Sequence, residues 1–187
     1  MSQFFHLDNY EHKYRIFVSN LVLKVEAEFE SNLVDGNLEL TLNGKFKFGF
    51  KKSSVNINTL LSLENYKILS HSIICSGINH SEIYKITQSL DFIEYTKNNL
   101  KSSALLPTQG VCEPLFLLLF CLENNEYEEV PERLIVGGKT RFLKLNSGLE
   151  FLEIMINDRK LKLFKTENKT FFELPVIKSK LYVEKTI

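Results

Sequence analysis

The sequence has no surplus of charge. Its 23 basic and 23 acidic side chains cancel, so no global field draws the chain to nucleic acid or to anionic lipid, and no nucleic-acid partner is expected. It has no long apolar run either. The longest, Leu115 to Leu122, falls far short of the roughly 20 residues that span a bilayer, so no transmembrane segment is expected. The residues from Met1 to Asp8 show neither the basic nor the apolar region of a secretory signal; taken literally, they point to the cytosol. Cysteine is scarce. Cys75, Cys112 and Cys121 are odd in number and follow no metal or disulfide spacing, so each reads as a small buried hydrophobe.

The motifs that announce chemistry are missing too. There is no Gly-x-Ser-x-Gly elbow, no His-Glu-x-x-His and no dinucleotide fingerprint. Gly138-Lys139-Thr140 suggests a phosphate loop, but that pattern needs a glycine five residues before Gly138, where Arg133 stands. A strand rather than a helix is expected to follow, so the two glycines read as a hairpin turn. His71 and Cys75 share strand parity, yet four residues of strand separate them by about 13 Å, too far to share one ion. No third ligand has a defined spacing, and no metal or cofactor is expected. Glu126, Glu128, Glu129 and Glu132, around Tyr127 and Pro131, form an acidic cluster without the glycine-punctuated spacing of a calcium cage, which makes them a solvated loop. Asn79-His-Ser and Asn168-Lys-Thr fit the glycosylation pattern, which has meaning only in a secretory setting.

What the sequence does have is strand after strand. Tyr14, Ile16 and Val18 share one parity, whereas Leu21, Leu23, Val25, Ala27 and Phe29 share the other. A bulge or bend near Ser19-Asn20 is expected to bring both sets to one face. Asp35-Gly36-Asn37 signals a hairpin. In the strand that follows, Leu38, Leu40, Leu42, Phe46, Phe48 and Phe50 alternate with Glu39, Thr41, Asn43, Lys45, Lys47 and Lys51. That gives one apolar and one wet face. Lys45, Lys47, Lys51 and Lys52 beside these phenylalanines resemble a base-stacking platform, but the alternation sends the two sets to opposite faces. The lysines then read as edge protection.

Further strands are expected near 56–63, 66–75, 82–88 and 90–96, followed by a polar connection over 97–110. In the last third, strands at 134–136, 139–145, 149–156, 160–165, 170–176 and 177–184 form a meander, with turn signals every 8–12 residues. One segment differs. Residues 112–122 are apolar on all sides, and Pro114 stands where a helix's first turn accepts proline. Leucine dominates there and valine and isoleucine are absent, which favours a buried helix near 113–122 over the rival buried strand.

The layout resembles a known family. Tyr14-x-Ile16-x-Val18 at the start, a Leu106-Pro107-Thr108 turn into an apolar helix, and Glu173-Leu174-Pro175-Val176-Ile177 before the last strand are similar to the bacterial all-β family called domain of unknown function three-one-zero-eight. The resemblance implies a curled antiparallel sheet around a helix and a periplasmic or cell-envelope setting, with the visible N-terminus trimmed. It carries no catalytic residue with it.

The expectation is therefore one all-β domain over residues 1–187, a curled antiparallel meander forming a half-barrel or open barrel around one short helix. Its leading function is non-catalytic binding of a lipid or another apolar molecule in a concavity lined by Phe46, Phe48, Phe50, Phe116 and Phe120. The alternative is a solid-core structural or protein-interaction domain, acting through a sheet edge or the acidic loop at 123–132. An enzyme ranks last, because no nucleophile, base or metal constellation stands out.

Overall fold

The structure is a computed structural model that describes residues 10–19, 23–49, 51–64, 67–77, 80–86, 93–97, 100–104, 111–124, 132–136, 139–148, 150–166, 169–174 and 179–186. For 80–86, 93–97 and 100–104, and for Ser19, Phe48, Val111 and Leu174, it describes the backbone alone. In chain order the first strands are β1 (His12–Ser19), β2 (Leu23–Val34), β3 (Asn37–Phe48), β4 (Lys51–Ser62) and β5 (Ile68–Ser76). The next are β6 (His80–Ile86), β7 (Ile93–Lys97), β8 (Leu100–Ala104) and the short β9 (Val111–Cys112). After the single helix α1 (Pro114–Glu123) come β10 (Arg133–Val136), β11 (Lys139–Ser147), β12 (Phe151–Ile156), β13 (Arg159–Thr166), β14 (Lys169–Leu174) and β15 (Ser179–Lys185).

The described strands make one 15-stranded sheet in the order β8-β7-β6-β5-β4-β3-β2-β1-β15-β14-β13-β12-β11-β10-β9. Two meanders run outward from a central seam, where the first and last strands pair antiparallel, Ile16 opposite Val183. The connectivity itself demands curling. Laid flat at about 4.8 Å per strand, such a sheet would hold its edges roughly 65 Å apart. Residues 105–110 join one edge strand, β8, to the other, β9, and that length of chain reaches at most about 25 Å. The sheet is an open curl, as the alternation pattern implies.

The parity change between the first two apolar sets has a different cause from the expected bend. β1 and β2 are separate antiparallel strands, paired from His12 opposite Ser31 to Ser19 opposite Lys24. This register places even-numbered residues of β1 beside odd-numbered residues of β2, so the flip in parity is what keeps both sets on one face. Tyr14 thus stacks on Phe29 at 5.8 Å between ring centroids. Two other features depart from the expected layout. β8 lies within the stretch read as a polar connection, and β9 pairs parallel to β10, with Leu134 opposite Cys112, so the helix bridges a small parallel unit at one edge.

The inward face of the sheet and α1 share one apolar cluster. Leu38, Leu40, Leu61 and Ile68 come from one arm, Leu143, Leu152, Ile154, Leu163 and Phe172 from the other, and Leu115, Phe116, Leu117, Leu119 and Phe120 from the helix. Both arms of the curl thus meet the helix, and only the stripe of Pro114, Leu118 and Leu122 is left half-buried. The expected helix is confirmed in type and place. Between β4 and β5 the register slips, so that Leu60 faces Ser70 but Leu61 faces Ile68. This bulge keeps Leu61 and Ile68 inward and turns Leu69 out.

One position on the inward face is tight for any side chain. Gly44 lies between Ala27 and Val55 in neighbouring strands, and a Cβ there would stand 3.0 Å from the Ala27 Cβ and 3.2 Å from Val55 Cγ1. Gly44→Val is expected to lower stability by about 1–3 kcal/mol through overpacking, read as a lower urea midpoint at unchanged slope. A midpoint equal to the parent's would show that β2 and β4 are free to separate there.

Candidate functional site

Both ends of α1 carry a carboxylate, and each is met by a histidine and a hydroxyl from the sheet. At the start, Glu113 is the N-cap. Its Oε2 accepts the backbone N–H groups of Leu115 at 2.8 Å and Phe116 at 3.0 Å, two of the donors that a helix start leaves unpaired. Its Oε1 lies 3.4 Å from His71 Nδ1 on β5, and the Thr59 hydroxyl on β4 lies 2.8 Å from that same nitrogen. Thr59 and His71 are directly opposed across the two strands. All three are buried, Glu113 at 2% exposure. Burial pushes the Glu113 carboxyl up to about 7, against the pull of the two helix N–H groups. Beside it Cys112 is raised well above the usual thiol range, again by burial, and its Sγ donates to the Glu113 carbonyl.

At the other end Glu123 closes the helix. Tyr14 Oη on β1 donates to its Oε1, Lys185 Nζ on β15 reaches Oε1 at 3.0 Å and Oε2 at 2.9 Å, and His12 Nδ1 lies 3.5 Å from Oε2. Lys165 on β13 adds a bond of 2.6 Å to the Asn124 carbonyl, just past the last turn; burial lowers its pKa. The helix's own last turn has no basic residue. Lys165 and Lys185 of the sheet therefore supply the positive charge that the C-terminal end of the dipole favours.

A hydroxyl, a histidine and a carboxylate are the residue types of acyl-transfer catalysis, but neither set has that geometry. A relay needs the hydroxyl and the acid on opposite ring nitrogens, whereas Thr59 and Glu113 both approach Nδ1 of His71. Ser31, which pairs with His12 across β1 and β2, is 0% exposed and its Oγ has no hydrogen-bond partner. No substrate reaches it. Both clusters work as tethers that fix the helix inside the curl, Glu113 to β4 and β5, Glu123 to β1 and β15.

Of the phenylalanines expected to line a ligand concavity, Phe116 and Phe120 are core residues of α1 at 2% and 5% exposure. Phe46 is half-buried on the inward face of β3; the side chain of Phe48, and Phe50 altogether, lie outside the described residues. So do residues 125–131 of the acidic loop. Glu123, read as the first residue of that loop, is instead the last residue of the helix.

The sheet's outward face carries a feature that no short motif announces. Phe151, Phe164, Phe171, Tyr182 and Phe17 stand directly opposite one another on β12, β13, β14, β15 and β1. Successive ring centroids are 5.4, 4.9, 5.8 and 5.6 Å apart, and all five rings are half-buried. Lys162 Nζ stands 4.3 Å above the Phe151 ring, Lys180 Nζ 4.3 Å above Phe171, and the Arg15 guanidinium 5.5 Å above Phe17, over every second ring. Two residues along each strand runs a second row, Glu153, Lys162, Glu173 and Lys180, also in direct register. The signal was present in the sequence: an aromatic on the outward parity of each successive strand, always two residues from a charge.

No family model, no curated protein and no solved structure matches the chain.

Proposed function

We propose that this chain is a solid-core protein-interaction module whose working surface is the outward face of β12 to β15 and β1. The observation that carries this reading is the row of five directly opposed, half-buried aromatic rings on the outward face of the sheet. Aromatic rings bring a large apolar area at little loss of rotamer freedom, and aromatic residues are enriched in protein interfaces. The ion row beside them supplies the polar margin that such interfaces have. The concave side offers less support for a carrier of lipid or another apolar molecule, because Leu119, Phe116 and Phe120 of α1 occupy it at 0–5% exposure and both helix ends are tied down.

Photo-crosslinking in cells separates the two readings. A benzoylphenylalanine placed at Phe171 is expected to form protein adducts on irradiation, whereas the same group at Ile74, 53% exposed on β5, is expected to form none. No adduct at Phe171, together with an apolar molecule retained by the purified protein in native mass spectrometry, would hand the function to the carrier reading.

A further inference from the structure

We infer that the partner of this outward face is a second copy of the chain, related by a two-fold axis that runs parallel to the strands between β13 and β14. The inference rests on the proposed function and adds the identity of the partner. It comes from the order of charges in the second row: Glu153 on β12, Lys162 on β13, Glu173 on β14 and Lys180 on β15, each in direct register with the next. Read in reverse, acid and base exchange places throughout. A surface with that property is complementary to itself, which is what an isologous two-fold contact requires.

The geometry selects the axis. Rotation by a half-turn about a line parallel to the strands reverses the strand order in the facing copy and keeps each row at its own height. Glu153 then faces Lys180 of the partner subunit, and Lys162 faces Glu173 of the partner subunit. In the aromatic row Phe164 meets the partner's Phe171, and Phe151 meets the partner's Tyr182. The competing axis, along the charged row and across the strands, leaves the order unreversed and sets Glu against Glu and Lys against Lys, which is repulsive by several kcal/mol when water is excluded. Two sheets packed face to face keep their strands within about 30° of each other, and the axis along the strands satisfies this. The lysines that lie over Phe151 and Phe171 are already beside the aromatic row, so their stems extend the apolar contact while their ammonium groups reach the opposing carboxylates.

The charge order also provides the test. Lys162→Glu alone places like charges across the two-fold axis twice, as does Glu173→Lys alone. Each single variant is expected to sediment as a monomer over a concentration range in which the parent sediments as a dimer, with dimerisation weakened at least about tenfold. An equimolar mixture of the two is expected to restore the dimer, because a chain with Glu at 162 and 173 then faces a chain with Lys at both. The double variant in one chain, Lys162→Glu with Glu173→Lys, keeps the pattern self-complementary and is expected to dimerise by itself, which controls for any loss of folding in the singles.

A parent that stays monomeric throughout the range overturns the inference. So does a parent dimer that neither single variant weakens, or a mixture that remains monomeric. The proposed function is tested separately by the Phe171 photo-adduct. An adduct with the mass of two chains fits both statements, an adduct with a different protein keeps the function and removes the homodimer, and no adduct removes both.

Discussion

Phe116→Ala is expected to lower the unfolding free energy by about 3–5 kcal/mol, a large share of the roughly 5–15 kcal/mol that holds a domain together. Phe116 is 2% exposed and belongs to the cluster that joins α1 to both arms of the curl. The lost ring leaves a void that neither arm is free to fill, because Glu113 at the helix start and Glu123 at its end tie the helix to different strands. Urea unfolding followed both by far-ultraviolet dichroism and by tyrosine fluorescence provides the measurement, and the two signals should shift together. A loss below about 1 kcal/mol would mean that α1 contributes little to the core and is a detachable lid. The concavity would then be available to an apolar ligand, and the carrier reading would displace the interaction module.

How much of this was legible follows from which physical signals are local. The alternation of Leu38, Leu40 and Leu42 with Glu39, Thr41 and Asn43 is a property of neighbouring residues, and β3 begins where that pattern placed it; it ends at Phe48, and Lys51, expected on its wet face, opens β4 opposite Phe48 instead. Pro114 and the leucine run were likewise enough for the helix. The break between β1 and β2 is not legible because a parity flip has two causes, a bulge in one strand or a break between two, and the residues alone do not separate them. The parallel contact of β9 with β10 involves two residues of β9, too few to leave any periodicity. Glu113 and Glu123 border the apolar run in sequence, and nothing in their neighbours marks what they do. Their roles depend on His71, Thr59, Tyr14 and Lys185, which come from strands distant in sequence and are assembled only by the curl. The outward aromatic row is an intermediate case. Each of its members is visible as a ring on the wet face of a strand, but their alignment is a matter of register, fixed by four hairpin pairings and not by any one strand.

Glu113 makes the fold sensitive to pH in a direction opposite to that of most carboxylates. Burial raises its pKa from 4.5 to about 7 in the folded state. An acid with a raised folded-state pKa binds its proton more tightly folded than unfolded, so its contribution is fully present below about 4.5 and is lost as pH rises through about 7. The whole shift corresponds to at most about 3 kcal/mol. Glu113→Gln keeps an oxygen for the Leu115 and Phe116 N–H groups and has no proton to lose. Its stability is expected to be flat relative to the parent's between pH 4.5 and 7, and the variant should be the more stable of the two above pH 7. The difference between the two curves reports Glu113 together with its coupling to His71, 3.4 Å away; Cys112, held neutral by burial, stays out of it. Parallel curves for parent and variant would mean that the carboxylate remains ionised in the folded protein and that the helix start rests on a buried charge rather than on a neutral acid.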